Sequence, residues 1–200
     1  MALTHVHTPI RIGGVELRNR VFRSAHATNM GRGVMSDDLI AYHQARGAGG
    51  VGLSMIEILG VHPTTPGTLN AFDPDIDRGY EKLVETIRPT GMKLFQQLWH
   101  AGHNSLPIDG SPPWSASDIA SPAIGVVPVA MTRGMIDEIV AAYAETARRC
   151  QQWGLDGVEL HAAHGYLPAQ FMSPLINRRS DDYGGSFENR LRFTVETLIA

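Results

Sequence analysis

Two histidines and a tyrosine stand within six residues of each other in the last quarter of the sequence. His161 follows the apolar run Gly157–Leu160, and His164 and Tyr166 come three and five residues later. Two imidazole N–H groups at this spacing can hold a developing oxyanion, while a phenol can deliver a proton. The pattern predicts a catalytic loop that leaves the end of a buried strand, with His161, His164 and Tyr166 as its catalytic residues.

The same histidines also suit a metal site. The pattern His-x-x-His occurs twice, at His100/His103 and at His161/His164, and imidazole pairs are common zinc and iron ligands. No Asp or Glu occupies a convincing third-ligand position beside either pair. A zinc or iron hydrolase is therefore the less favoured alternative, and we predict no metal.

The composition is that of a cytoplasmic globular protein with a small-molecule substrate. The 200 residues fit one domain, with 43% hydrophobic and 18% charged residues. A net charge of −3 without a Lys/Arg run argues against nucleic acid or an anionic membrane as partner. Cys150 is the only cysteine, which fits a reducing compartment. No apolar run approaches the ~20 residues of a membrane span.

Strand-like and helix-like segments alternate along the chain, which predicts a parallel sheet with helical crossovers. We predict strands at Val21–Ala25, Val51–Leu59, Met92–Leu98 and Leu155–Leu160. We predict helices at Asp37–Ala48 after the cap Ser36, at Asp77–Arg88, from the cap Thr132 to Gly154, and at Phe187–Ala200.

Such a parallel sheet is either open and doubly wound or closed into a barrel. No G-x-G-x-x-G follows the first strand and the Walker pattern is absent, which removes the main support for a dinucleotide-binding fold. The polar candidates at 24–28, 57, 96–103 and 161–166 all fall at or just after predicted strand ends. Because barrels place their active sites at the carboxyl ends of their strands, the sequence favours a (β/α)8 TIM barrel.

The residues that follow His161 resemble the signature of a known family. The run reads H-A-A-H-G-Y-L, then Q-F-M-S-P-L-I-N-R-R-S-D-D-Y-G-G-S-F-E-N-R-L-R-F, and it is similar to that of the Old Yellow Enzyme family of FMN-dependent ene-reductases. The segments Asn19–Val21, Val51–Glu57 and Gln97–His103 resemble the same family in the same order. The run His26–Met30 is closer to the branch of 2,4-dienoyl-CoA reductases and trimethylamine dehydrogenase.

The resemblance implies a set of FMN-binding residues. Ile58 would contribute its backbone at the pyrimidine edge of the flavin, and Gln97 would donate and accept there. Ala27 stands where family members often carry Thr or Cys, so a hydrogen bond from this side chain to the flavin is lost. The first-strand end would run past the flavin with its backbone groups, through Ser24, Ala25, His26 and Ala27.

The resemblance also implies a reaction. NAD(P)H would reduce FMN, and the flavin would then pass hydride to the β-carbon of an α,β-unsaturated carbonyl compound. His161 and His164 would bind the carbonyl oxygen, and Tyr166 would be the proton donor. A flavin-dependent amine dehydrogenase of the trimethylamine type is the alternative, although imidazole donors suit an anionic oxygen better than a cationic amine.

The length raises a further expectation, because an eight-unit barrel needs ~250 residues or more. We count only the first four β/α units in residues 1–200, which we interpret as the N-terminal half of an FMN-binding barrel domain. A missing C-terminal half would then complete the barrel. The alternatives are a homo-oligomer or an inactive half-barrel whose exposed sheet edge drives association.

Residues around these candidates carry simpler expectations. We expect Glu57 to pair with a basic residue, and Gln97 could merely satisfy the backbone at a strand end. His26 is either a cofactor contact or a core histidine. The Arg178–Arg179 and Asp181–Asp182 pairs are expected to form a solvated or ion-paired loop that fixes the segment after the histidines.

Overall fold

The computed structural model describes residues 4–200, which form a parallel β-sheet covered by helices on one face. The strands are β1 (Ile10–Ile12), β2 (Val15–Leu17), β3 (Phe22–Arg23), β4 (Leu53–Gly60), β5 (Leu69–Asn70), β6 (Lys93–Trp99), β7 (Trp114–Ser115), β8 (Val129–Ala130) and β9 (Gly157–Leu160). The helices are α1 (Asp37–Ala48), α2 (Ile76–Ile87), α3 (Arg133–Gln152), α4 (Leu167–Met172) and α5 (Phe187–Ile199), with 3-10 turns at Arg88–Thr90 and Gly102–Asn104.

The main sheet has the order β3-β4-β6-β9, all parallel, and the short β5 pairs with the end of β4. Each long strand is thus hydrogen-bonded to the strand of the preceding unit, with α1, α2 and α3 between them. This monotonic order is that of a barrel arc, whereas a doubly wound sheet reverses its order at a switch point. The predicted α/β barrel fold with four β/α units is confirmed.

The helix boundaries follow their capping residues. Ser36 and Thr132 accept hydrogen bonds from the N–H groups of Leu39 and Met135, at 3.1 and 3.3 Å. Helix α1 has the predicted bounds, and α2 begins one residue before its predicted start. At the end of α2 a 3-10 turn closes on Gly91, whose φ of 71° is readily adopted only by glycine.

The predicted strands are confirmed with shifted ends. Strand β3 stops at Arg23, two residues earlier than predicted, and the Arg23 side chain donates through Nη1 to the Met55 carbonyl of β4 at 2.6 Å. Strand β9 begins at Gly157, since Asp156 turns its carboxylate to the Leu94 N–H at 3.0 Å instead of continuing the strand alternation. The β1–β2 hairpin, the short strands β5, β7 and β8, and helix α4 were not predicted.

Two apolar layers lie on the two faces of the sheet. The larger one packs the outer face against the helices and includes Ile56, Tyr80 and Ile139. The smaller one lies on the inner face, where Leu53, Met55 and Phe95 cluster with Leu17 of the β1–β2 hairpin. The hairpin therefore covers the inner face at the amino-terminal end of the strands.

The outer strands β3 and β9 each have one strand neighbour within residues 4–200. Large apolar side chains are exposed near these edges and on α5. Phe22 is 49% exposed and Val158 is 42% exposed, while Leu198 and Ile199 reach 68% and 80%. Exposure of this kind at open sheet edges is typical of a surface that another element covers. None of the helices in the described part of the chain is long and apolar enough to cross a bilayer.

Candidate active site

The predicted polar residues gather at one end of the sheet. Strands β4, β6 and β9 are parallel and end at Gly60, Trp99 and Leu160. Because their carboxyl ends lie side by side, the loops that follow them surround one region. The sheet therefore brings together the segments that the sequence singled out after each strand.

The rings of His161, His164 and Tyr166 form one cluster at this end. The His161 ring meets the Tyr166 ring edge-on at 4.8 Å and the His164 ring edge-on at 5.1 Å between centroids. His161 is buried, His164 is exposed and Tyr166 is half-buried. The three predicted side chains thus span the range from the sheet interior to solvent.

A tight turn places these rings. The Tyr166 N–H donates to the Ala163 carbonyl at 3.1 Å, and both central residues have positive φ, 55° at His164 and 70° at Gly165. This is the pattern of a type I′ turn, and a residue other than Gly, Asn or Asp is uncommon at its first central position, because positive φ strains the backbone. Strain of this kind clusters at functional sites. The Leu167 N–H then donates to the His100 carbonyl at 2.9 Å, which fixes the start of α4 against β6.

The two histidines contact each other directly. The Ala163 N–H approaches His161 Nδ1 at 3.4 Å, so the ring proton belongs on Nε2, which lies 3.3 Å from His164 Nδ1. Burial first, and the neighbouring His164 second, lower the pKa of His161. In this tautomer His161 donates its N–H to His164 Nδ1, and the His164 Nε2–H has no partner within residues 4–200.

The Tyr166 ring is fixed by its neighbours, but its hydroxyl stays available to a substrate. Its ring lies edge-on to Trp99 at 5.3 Å, and Trp99 is itself buried and forms a wall of the site. Within residues 4–200 the Tyr166 hydroxyl makes no hydrogen bond, although the backbone on both sides of it is bonded. A fixed phenol with a free O–H is what a proton donor requires.

The segment that follows β3 has the form of a backbone binding strip. Arg23 Nη2 donates to the His26 carbonyl at 3.1 Å, and Thr28 donates its N–H and its hydroxyl to Glu57 Oε2 at 2.7 and 2.6 Å. Between these anchors, the N–H groups of residues 25–27 have no partner in the described part of the chain. The strip, Ser24 to Ala27, offers free donors on a fixed backbone.

The structure decides between two alternatives for His26 and corrects one expectation for Glu57. His26 is exposed, which excludes the core histidine and leaves the cofactor contact as a prediction. Glu57 is fully buried and accepts from Thr28 instead of pairing with a basic residue, because the strip passes directly over the end of β4. Its second oxygen, Oε1, is buried without a partner within residues 4–200.

Gln97 is directed to the inner face and does not serve the backbone. Its Nε2 donates to Glu159 Oε1 at 2.6 Å, and the side chain is half-buried. The neighbouring Gln96 is the amide that satisfies backbone, donating to the Glu57 carbonyl at 2.6 Å. Ile58 presents its carbonyl beside this region and accepts a longer bond, 3.3 Å, from the Thr68 hydroxyl.

The donors and acceptors of the strip, Ile58 and Gln97 fit the flavin that the resemblance implies. A flavin ring needs an apolar bed together with a few donors and acceptors at its pyrimidine edge. Free backbone N–H groups at 25–27, the Ile58 carbonyl and the Gln97 amide supply both kinds of group at the carboxyl end of the sheet.

The other His-x-x-His pair is committed to structural hydrogen bonds. His100 Nδ1 accepts from the Gly102 N–H at 3.0 Å, and its Nε2 lies 2.9 Å from the Thr64 hydroxyl. Burial first, and His62 second, lower the pKa of His100 to about 3. His103 donates through Nδ1 to the Ile119 carbonyl at 2.8 Å and so fixes the loop after β6. Across residues 4–200 no three His, Cys, Asp or Glu side chains come together as a metal site.

The loop before α5 is ion-paired through one of the two predicted pairs of residues. Arg179 pairs with Asp181 at 2.5 Å and also donates to the carbonyls of Ala116 and Met131, at 3.0 and 2.6 Å. One side chain thereby joins this loop to the residues that follow β7 and β8. Arg178 and Asp182 form no ion pair within residues 4–200.

The sequence interpretation missed Glu159. A signal for Glu159 existed, because side chains two residues apart in a strand share a face and Glu159 precedes His161 by two. Thr28 was among the polar candidates, but its pairing with Glu57, 29 residues away, was not predicted.

The fold is an arc of four β/α units, and the candidate site lies at the carboxyl ends of its strands. Residues 5–200 match the NADH:flavin oxidoreductase / NADH oxidase family. The chain belongs to that family.

Known proteins similar to the chain extend well beyond it. It is 39% identical to an NADH oxidase of Thermoanaerobacter brockii over 196 residues, 94% of this chain and 30% of that protein. It is 35% identical to an NADPH dehydrogenase of Bacillus subtilis strain 168 over 197 residues, 96% of this chain and 58% of that protein. A solved morphinone reductase superimposes with a TM-score of 0.90 at 30% identity, covering 97% of this chain and 57% of that one. The chain thus spans between about a third and three fifths of these relatives.

Proposed function

We propose that the chain is the N-terminal half of an FMN-binding barrel domain in an NAD(P)H-dependent reductase of α,β-unsaturated carbonyl compounds. The observation that carries the proposal is the cluster of His161, His164 and Tyr166 at the carboxyl end of the sheet, with the tyrosine hydroxyl free. The similarity to an NADPH dehydrogenase and to a morphinone reductase supports the same chemistry. A C-terminal half that covers β9 would supply the rest of the barrel.

In this proposal the carboxyl end of the sheet holds FMN. Ser24, Ala25, His26 and Ala27 contribute backbone groups along the ring, and Ile58 and Gln97 contribute at its pyrimidine edge. Bound FMN supplies reversible two-electron chemistry, accepting hydride equivalents from NAD(P)H and releasing them to the substrate.

The chain's own residues bind and protonate the substrate. The free Nε2–H of His164 binds the substrate's carbonyl oxygen, and His161 joins it when its N–H turns from His164 to that oxygen. Donors aimed at a developing oxyanion contribute on the order of 10² to 10³ in rate. Tyr166 gives its hydroxyl proton to the α-carbon, a step that contributes on the order of 10² to 10⁴.

Reduction is favoured over amine oxidation on this geometry. Two neighbouring imidazoles with a lowered pKa at His161 present N–H donors, which bind an oxygen and offer nothing to a cationic amine. A solved structure of morphinone reductase in complex with tetrahydroNAD, similar at a TM-score of 0.89, supports a nicotinamide reductant. We propose a cytoplasmic location, supported by the single, buried and unpaired Cys150.

The replacement Tyr166→Phe tests the proton donor. In the flavin-loaded protein, stopped-flow oxidation of the reduced flavin by 2-cyclohexenone should slow by roughly 10² to 10⁴, because the ring keeps its packing but loses its proton. Reduction of the flavin by NADPH should be nearly unchanged. A Phe variant that oxidises at the normal rate and reduces slowly would contradict the role.

A further inference from the structure

Gln97 and Glu159 are cross-strand neighbours on the inner face of the sheet. Strands β6 and β9 pair in register with Gln97 opposite Glu159, so both side chains point to the same face. The Gln97 Nε2 lies 2.6 Å from Glu159 Oε1, and both side chains are half-buried. His161 follows two residues after Glu159 and shares its face. The pair therefore lies directly beneath the site.

A carboxylate that is hydrogen-bonded to an amide side chain determines which end of the amide faces it. An ionised carboxyl group only accepts hydrogen bonds, whereas an amide has a donating and an accepting end. Glu159 has no Lys, Arg or His within ion-pair distance in the described part of the chain, so Gln97 is its polar partner there. The Gln97 nitrogen must turn to Glu159, and its Oε1 is left pointing elsewhere as an acceptor.

We propose that Glu159 is a positioning residue that presents the Gln97 carbonyl oxygen to FMN. The pyrimidine edge of a flavin has one donor, the N3–H, between two carbonyl acceptors. An oxygen from Gln97 matches the N3–H, whereas an inverted amide would match a carbonyl. The inference rests on the proposed function and adds the group that decides the orientation of Gln97. It also places a negative charge near the flavin, which opposes its reduction.

The ratio of two dissociation constants measures this orientation. FMN and N3-methyl-FMN are titrated into the full-length apoprotein, and binding is followed by quenching of flavin fluorescence. The native protein should bind the methyl analogue at least ~10-fold more weakly, since it loses the bond to Gln97. In Glu159→Gln the amide can invert, and the ratio should fall several-fold while the midpoint potential becomes more positive. A purely structural defect would weaken both ligands equally and leave the ratio unchanged.

Three further variants complete the test. Glu81→Gln removes the same charge from an exposed position on α2 and should leave the ratio and the potential at their native values. Glu159→Ala removes the acceptor altogether and should change the ratio and the potential as Glu159→Gln does. It replaces Glu159→Gln in the test if that variant folds poorly. In a Gln97→Ala background, Glu159→Gln should no longer change the ratio.

Two results would overturn the inference. If the native protein binds FMN while both Glu159 variants keep the native ratio and potential, Glu159 does not orient Gln97 and the proposed function stands alone. If the native protein and Glu81→Gln both fail to bind FMN, the proposed function and the inference fall together.

Discussion

At the scale of single residues, the candidate cluster is built from hydrogen-bond donors held by their neighbours. His161 donates to His164, His164 occupies a left-handed backbone conformation, and Tyr166 leaves its hydroxyl free. Neutral imidazoles can donate hydrogen bonds to an oxyanion, and they bind no counter-ion when the oxyanion is not present. The cluster is therefore suited to charge that appears during the reaction and disappears after it.

The donor at position 164 can be tested with two residues that tolerate positive φ. Asn and Asp both adopt the left-handed conformation, but only Asn carries N–H donors. Enone turnover in His164→Asn should stay within ~10-fold of the native rate, whereas His164→Asp should lose about 10² to 10³ in steady-state kcat. Equal turnover by the two variants would contradict a donor role.

Buried neutral histidines make stability depend on pH. Burial lowers the pKa of His43 and of His100 to about 3, against 6.5 in the unfolded chain. Between these values the unfolded state binds more protons, so the free energy of unfolding should fall as pH drops below 6.5, by up to about 1.4 kcal/mol per pH unit for each histidine.

Urea unfolding at pH 7.5, 6 and 5 measures this dependence above the range in which carboxylates titrate. Asp77 and Asp181, whose pKa values are lowered chiefly by hydrogen bonds from Arg149 and Arg179, contribute below about pH 4. The variant His43→Gln should reduce the slope. A native protein equally stable at pH 7.5 and pH 5 would contradict the prediction.

At the scale of elements, a chain of hydrogen bonds ties the loop after β4 to β6 and α3. His100 Nδ1 accepts from the Gly102 N–H, so the ring proton of His100 lies on Nε2. His100 Nε2–H therefore donates to the Thr64 hydroxyl. The Thr64 hydroxyl in turn donates to His62 Nδ1 at 2.9 Å. His62 Nε2 then reaches Glu138 on α3 at 3.1 Å. The chain runs from a fully buried ring to an exposed carboxylate.

Thr64 is the link that both rings share. Thr64→Val should cost about 1 to 3 kcal/mol of unfolding free energy, because it leaves the buried His100 Nε2 without an acceptor. Thr64→Ser keeps the hydroxyl and should stay within about 0.5 to 1 kcal/mol of the native protein. Chemical denaturation of both variants at pH 7.5 gives the comparison, and equal losses in the two would show that the hydroxyl is not what matters.

Local signals predicted the main elements well. Ser36 and Thr132 marked helix starts because capping depends on residues three apart. The β1–β2 hairpin escaped notice because its strands are three residues each, and α4 because it has only six residues and contains Pro168. Elements of that length carry too little periodicity to stand out.

The candidate site was predicted by residue type, and its partners were not. His161, His164 and Tyr166 lie within six residues, so sequence distance alone brought them together. The bonds from Thr28 to Glu57 and from Gln97 to Glu159 join residues 29 and 62 positions apart. Pairings of that separation follow from the register of parallel strands, which no local pattern fixes.

At the scale of the whole molecule, the chain is an arc of a barrel with its site on one rim. Four β/α units supply the inner face, the proposed catalytic cluster and the strip along the proposed flavin. The relatives with this fold extend beyond the matched region, and the exposed Val158, Leu198 and Ile199 lie where further units would pack. We expect the rest of the barrel to cover these side chains and to bind the FMN phosphate, as the last loops of such barrels commonly do.

The most direct test of the account is the absorbance spectrum of the full-length protein after incubation with FMN and desalting. Retention of about one flavin per chain, with a several-fold lower occupancy in Gln97→Ala, is the predicted result. A colourless native protein, or one that retains flavin equally well without Gln97, would contradict the assignment of this end of the sheet as the FMN site.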